Sequence, residues 1–213
     1  MKNLKFIFAA LVSIAALSCN KLESPVENSE SNQDAEMVPL TLSTGVPTKT
    51  YIAENGTDIY WHSGDMIKVY SNYKITDILG NDATDYDFTM SGEPQGNFAR
   101  FTGKVRQGTK KVWAVYPSAL AKGANTEGVI NVNLPNTQTA SENSFSQNLN
   151  ISVAKTDVTM ESGVQDKEPV ASGNVAFHNA CALLKFTVPS NVTNIKSVVI
   201  SADQNIAGDM TIN

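Results

Sequence analysis

From residue 38 onward, polar and apolar side chains alternate in short runs with a period of two. Ile130, Val132 and Leu134 alternate with Asn131 and Asn133, and Ala182, Leu184, Phe186 and Val188 alternate with Leu183, Lys185 and Thr187. Successive side chains of a strand point to opposite faces, so this alternation predicts strands with one buried face. Lys111-Val112-Trp113-Ala114-Val115-Tyr116 is apolar on both parities and predicts a central strand covered on both sides. Further strands are expected near 40–44, 48–53, 58–61, 67–72, 85–90, 99–105, 151–155, 196–202 and 208–212. Turn chemistry falls between them: Glu54-Asn55-Gly56-Thr57 holds the Asn-Gly pair of tight hairpins. Ser63-Gly64-Asp65, Ser91-Gly92-Glu93-Pro94 and Val188-Pro189-Ser190-Asn191 mark other breaks. No helical stripe follows the first 18 residues, and strands recurring every 8–12 residues or so predict an all-β sandwich. The polar, charged stretch 156–172, with Pro169, predicts a long loop or domain junction. The final run, 206–212, reads as a strand in progress, so a further C-terminal part is expected.

The N-terminus has a different pattern. Lys2 and Lys5 precede twelve residues, Phe6 to Leu17, that are apolar apart from Ser13. A membrane-spanning helix needs about 20 apolar residues, so the run is short for an anchor and has the charge and length of a secretory signal. Ala16-Leu17-Ser18-Cys19 resembles a bacterial lipobox, in which the cysteine is lipidated before the signal is cut. Leu17 stands one place later than in the most common lipobox, which leaves a plain signal peptide with an incidental cysteine as the alternative. Residues 20–37 hold five acids against the single Lys21 and read as a flexible acidic tether. The expected organisation is a signal at 1–18, a tether at 19–37, a sandwich domain at 38–168 and the first strands of a second β domain at 169–213.

Composition narrows the chemistry. The 213 residues are 41% hydrophobic and 17% charged, enough for a sizeable core. Removing residues 1–18 leaves 14 basic against 21 acidic side chains, a net −7, with Arg100 and Arg106 the only arginines. That argues against nucleic-acid binding, which needs a basic patch. The two histidines, His62 and His178, have no further His or Cys at metal spacing, so no metal site is expected. His178 and Cys181 are three apart on a predicted strand and would face opposite sides, which removes them as a nucleophile pair. Cys181 reads as a small buried hydrophobe. Asp82, Asp85 and Asp87 offer oxygens to calcium but lack the glycine and terminal glutamate of a calcium loop, and are read as solvated. Tyr60, Trp61, Tyr70, Tyr73 and Tyr86 suit a sugar-stacking platform or, as preferred here, strand cores. No nucleophile elbow, phosphate loop or dinucleotide fingerprint appears. Neither an enzyme nor a cofactor is expected.

Four blocks in order resemble the fimbrillin family, subunits and anchors of type V pili in Gram-negative anaerobes. They are Thr48-Lys49-Thr50-Tyr51 with Ile59-Tyr60-Trp61-His62-Ser63-Gly64-Asp65-Met66-Ile67-Lys68-Val69-Tyr70; Ala99 to Val105 with Trp113-Ala114-Val115-Tyr116-Pro117; Val132-Asn133-Leu134-Pro135-Asn136-Thr137-Gln138; and Val175-Ala176-Phe177-His178-Asn179-Ala180 running on to Phe186. Read physically, Trp61 plugs a core, Gly103 lets strands approach closely, and Pro117 and Pro135 stop strands. The resemblance implies two Greek-key, transthyretin-like β-sandwich domains, and pilin subunits that join by exchanging a β-strand, as homo- or hetero-polymers. It implies lipidation at Cys19, an outer-membrane, cell-surface fimbrial location, and maturation after a basic residue. No arginine precedes Arg100, so Lys49 is the nearest candidate, with a solvated strand lysine as the other reading. The expected function is a fimbrial subunit or anchor/accessory lipoprotein supporting adhesion. A tethered surface glycan-binding lipoprotein is the alternative.

Overall fold

Met37–Thr44 forms β1, and its alternation is realised directly: Val38, Leu40, Leu42 and Thr44 are buried while Met37 and Pro39 are exposed. The computed structural model describes residues 36–45, 51–52, 59–73, 85–139, 146–161 and 170–213. After β1 come β2 (Tyr51–Ile52), β3 (Ile59–Tyr60), β4 (Met66–Ser71), β5 (Asp85–Met90), β6 (Arg100–Arg106) and β7 (Lys111–Tyr116). Then follow β8 (Ala121–Ala124), β9 (Ile130–Leu134), β10 (Ser152–Asp157), β11 (Thr159–Glu161), β12 (Val170–Val175), β13 (His178–Asn179) and β14 (Gly208–Ile212). The protein is an all-β sandwich, and Asn32–Asn213 forms one compact unit.

Nine strands share one sheet in the order β11-β12-β1-β6-β5-β4-β7-β10-β13. The run β7-β4-β5-β6 is a Greek key, since β4, β5 and β6 follow one another and β7 returns beside β4. Between β5 and β6 only Thr89↔Thr102 and Met90↔Phe101 pair, against seven pairs between β1 and β6. The sheet folds over at this short contact, so that β12, β1 and β6 face β5, β4, β7 and β10. The first core fills the space between: Val38, Leu40 and Leu42 of β1, Ile67 and Val69 of β4, Phe88, Phe101, Val105, and Val112, Ala114 and Tyr116 of β7. Gly103 of β6 lies on this inner face beneath the Phe88 ring, where an added Cβ would meet a ring carbon at 2.5 Å. The space left at this glycine is taken by an aromatic side chain, where a close approach of strands was expected.

A second sheet, β14-β9-β8, covers the other side of β4 and β7. Trp113, Val115 and Tyr70 point there and pack with Ile130, Val132, Leu134 and Ile151 in a second core. The prediction that β7 is covered on both faces holds. Pro117 and Pro135 directly follow β7 and β9, where a residue without an N–H ends a ladder.

Several expectations need correction. The boundary expected at 168/169 falls inside one sheet: β12 pairs in parallel with β1 from Leu40↔Ala171 to Thr44↔Val175, and β14 pairs with β9. The loop expected at 156–172 contains the end of β10, all of β11 and the start of β12, with 162–169 outside the described residues. The run 182–188, which alternates, and the run 196–202 were both expected as strands, yet neither is paired with any described strand, and every residue from 182 to 206 is exposed. Alternation sets which face needs covering but does not supply a neighbour.

Replacing Gly103 by alanine is expected to lower stability by about 2 kcal/mol, the ordinary cost of overpacking a filled core. Chemical denaturation would show a lower midpoint with an unchanged slope. The G103A/F88L double variant should recover part of the loss, because the two positions are in contact.

Candidate functional site

Residues from three of the four resembling blocks converge in space, while Val132 and Leu134 of the third block lie in the second core. Trp61, just beyond β3, is 3% exposed and packs edge-on against three rings: Phe101 at 4.9 Å, Tyr116 at 5.3 Å and Phe177 at 5.4 Å between centroids. T-shaped contacts of this kind add roughly 0.5–1.5 kcal/mol each beyond area burial. The chain then turns through His62-Ser63-Gly64-Asp65 into β4, with Gly64 at φ +90°, a conformation open to glycine at no steric cost. Asp65 secures the turn: its carboxylate accepts the His62 N–H at 2.8 Å and the Tyr116 hydroxyl at 3.0 Å. Burial pushes the Tyr116 pKa well above the usual tyrosine value, and the Asp65 charge adds to the shift. Sequence reasoning found Trp61 but missed the Asp65–Tyr116 bond, which joins residues 51 positions apart and has no local signal.

The other candidates lie scattered. Cys19 and Lys49 lie outside the described residues, as does Asp82. His62 and His178 are exposed; the His62 ring nitrogen Nδ1 lies 3.0 Å from the Ser63 carbonyl. Cys181 is half-buried against the second core, where burial raises its pKa. No hydrogen bond joins it to His178. Asp85 and Asp87 flank Lys68, at 3.7 and 2.7 Å from its ammonium group. Both carboxylates are more than half exposed, so these pairs add little stability. Among the described residues no three His, Cys, Asp or Glu side chains come together as a metal site. The five aromatics do not form a platform: Trp61 belongs to the first core, Tyr86 packs against it, and Tyr70 lies in the second core on the other side of β4. Tyr70 has its pKa pushed up to about 12, chiefly by burial and then by Asp85 and Asp87.

Two surface features lie outside these candidates. One is a shallow cleft of about 310 Å³ between β5 and β6, lined by Ser91, Glu93, Gln95, Phe98 and Arg100, with the Arg100 guanidinium 5.6 Å above the Phe98 ring. The other is the exposed segment 182–206. Among the described residues no helix is long and apolar enough to cross a membrane. No protein family, curated protein or solved structure matches the chain.

Removing the Tyr116 hydroxyl (Tyr116→Phe) should cost about 2 kcal/mol at neutral pH, the range for a hydrogen bond to a charged group. Both tyrosines hold their protons more tightly folded than unfolded, so their contribution is intact below pH 10. It is lost as the pH rises from 10 toward 12, because only the unfolded chain then releases the protons. Stability should therefore fall by up to about 1.4 kcal/mol per pH unit per tyrosine. Denaturation series between pH 8 and 12 should show a shallower alkaline slope for both Y70F and Y116F.

Proposed function

We propose that this chain is a structural subunit, or an anchor or accessory lipoprotein, of a surface fimbria. It is exported by its N-terminal signal, lipidated at Cys19, held in the outer membrane by that lipid, and assembled with other subunits by β-strand exchange. The observation that carries the reading is the aromatic hub. Three of the four blocks that resemble fimbrillins in the sequence meet there: Trp61 and Asp65 of the first, Phe101 and Tyr116 of the second, Phe177 of the last. They form one interdependent construction at the centre of a sandwich. A set of residues tied together this way supports a shared fold more strongly than isolated matches do. The step from fold to fimbria rests on the resemblance and on the lipobox-like start, since a fold alone does not decide function. Strand exchange is chemically suited to such a body, because an open sheet edge offers unpaired backbone donors and acceptors.

The alternative, a surface glycan-binding lipoprotein, is favoured by one observation, the cleft beside Phe98. An aromatic face there stands beside Arg100, Glu93 and Gln95, groups that hydrogen-bond sugar hydroxyls.

Deleting the gene should remove filaments seen by electron microscopy, and unboiled gels of the wild type should show a ladder of polymers. Unchanged filaments, together with a glycan that raises the melting temperature, would decide for the alternative. Cys19→Ser should abolish incorporation of labelled fatty acid and release the protein from the outer-membrane fraction. Mass spectrometry of the mature N-terminus should find lipidated Cys19 if the tether stays, or Thr50 if a protease cuts after Lys49.

A further inference from the structure

Phe101 and Val105 of β6 are buried in the first core, so Arg100, Thr102, Lys104 and Arg106 lie along the outer face of the strand. The chain has two arginines, and both stand in this row. The body around it is acidic, at net −5 for the whole chain. The neighbouring strands bring no acid to the row. On β1 the register sets Ser43 against Arg100, Pro39 against Lys104 and Met37 against Arg106. Beyond β1, the outer residues of β12 are Val170, Ser172 and Asn174. The nearest carboxylates are engaged elsewhere or distant: Asp85 and Asp87 hold Lys68, Glu93 accepts the Ser63 hydroxyl at 3.3 Å, and Glu161 stands on β11, three strands away. Among the described residues none of the three cations is in an ion pair. Burial raises the Tyr86 pKa and the nearby Arg106 charge pulls it back, so Arg106 has a neutral phenol beside it and its own charge stays uncompensated. Across the middle of the same face runs a line of hydroxyls, Thr159, Ser172, Thr41 and Thr102, each paired to the next across adjacent strands.

We propose that the outer face of β12, β1 and β6 binds an extended acidic polysaccharide, with Arg100, Lys104 and Arg106 on its carboxylate or sulfate groups and the hydroxyl line on its sugar hydroxyls. Charge complementarity selects an anion, and the arginine fork meets a carboxylate through two parallel hydrogen bonds. Spacing selects the kind of anion. The cations stand four and two residues apart, roughly 14 and 7 Å along the strand. Duplex DNA carries one charge per ~1.7 Å, so most of its phosphates would face an acidic body without a partner. A polysaccharide with one acid on every sugar, or on every second sugar, is far sparser. The outer residues of these three strands also include no aromatic ring for a base to stack on. The face touches the Phe98 cleft only at Arg100, whose guanidinium lies over that ring. The inference goes beyond the fimbrial reading and does not rest on it, since a pilus subunit and a tethered lipoprotein can both carry such a face.

The test titrates the compact unit Asn32–Asn213 with alginate, chondroitin sulfate, dextran and single-stranded DNA, at low and at physiological salt. Alginate carries carboxylates alone and chondroitin sulfate carries both acids, so their order tells which group the row prefers. Both should bind, more weakly as salt screens the charges, and neutral dextran should not. Arg100→Gln and Lys104→Gln should each weaken binding roughly threefold, the worth of an exposed ion pair, and R100Q/K104Q/R106Q should reduce it to the level of dextran. Thr102→Val keeps every charge and should weaken binding while leaving its salt dependence unchanged. Lys122→Gln and Lys155→Gln remove exposed lysines on β8 and β10, away from this face, and should change nothing. Arg100 and Lys104 are exposed, so the single variants keep the fold, which an unchanged melting temperature will show. No binding of either acidic polysaccharide at low salt, an equal loss from K122Q or K155Q, or tighter binding of the DNA would overturn the inference. None of these results bears on the filament and lipidation experiments, which test the functional proposal separately.

Discussion

The structure depends on β7 being buried on both faces. Val112, Ala114 and Tyr116 belong to the first core, and Trp113 and Val115 to the second. A strand with two apolar faces cannot sit at the outside of a two-layer sandwich without leaving one of them in water. A third layer follows from that requirement, and the small sheet of β8, β9 and β14 supplies it. The fold of the large sheet at β5–β6 supplies the opposite cover. Both cores thus meet across the backbone of a single strand, and a change on one face of β7 is one pleat away from the other.

The aromatic hub has a related logic. Trp61 fills a space bounded by residues from β6, β7 and the segment after β12, so it ties together parts of the chain that no local interaction would join. Asp65 adds a polar restraint at its rim. A buried tyrosine hydroxyl needs a partner, and an acceptor held by a tight turn lets Tyr116 stay inside without an unsatisfied group. The turn, the plug and the end of β7 therefore form one unit. Loosening any of them loosens the others.

How much of this could be read from residues alone varied with the range of the interaction. β1, β6 and β9 announce themselves through their own alternation, because burial of one face is written locally, and β7 through a run apolar on both parities. β12 does not. Val170-Ala171-Ser172-Gly173-Asn174-Val175 has small or polar residues at most positions, and its strand character comes from pairing with β1 far away. Runs 182–188 and 196–202 failed in the opposite direction: the first alternates and the second is rich in β-branched residues, but either needs a neighbour that no described strand provides. As for the candidate site, Trp61 was legible from its bulk at a strand end. The Asp65–Tyr116 contact was not, since neither residue departs from what a turn and a strand ordinarily contain.

The parallel pairing of β1 with β12 sets an order of events. Leu40 finds its partner Ala171 only after roughly 130 further residues have been made, and long-range pairings of this kind are the slow ones in folding. Until then β1 has an antiparallel neighbour on one side and an open edge on the other. A chain emerging residue by residue therefore carries β1 with one side unpaired until β12 is made, and β1 passes from the edge of the sheet to its interior only when that strand arrives.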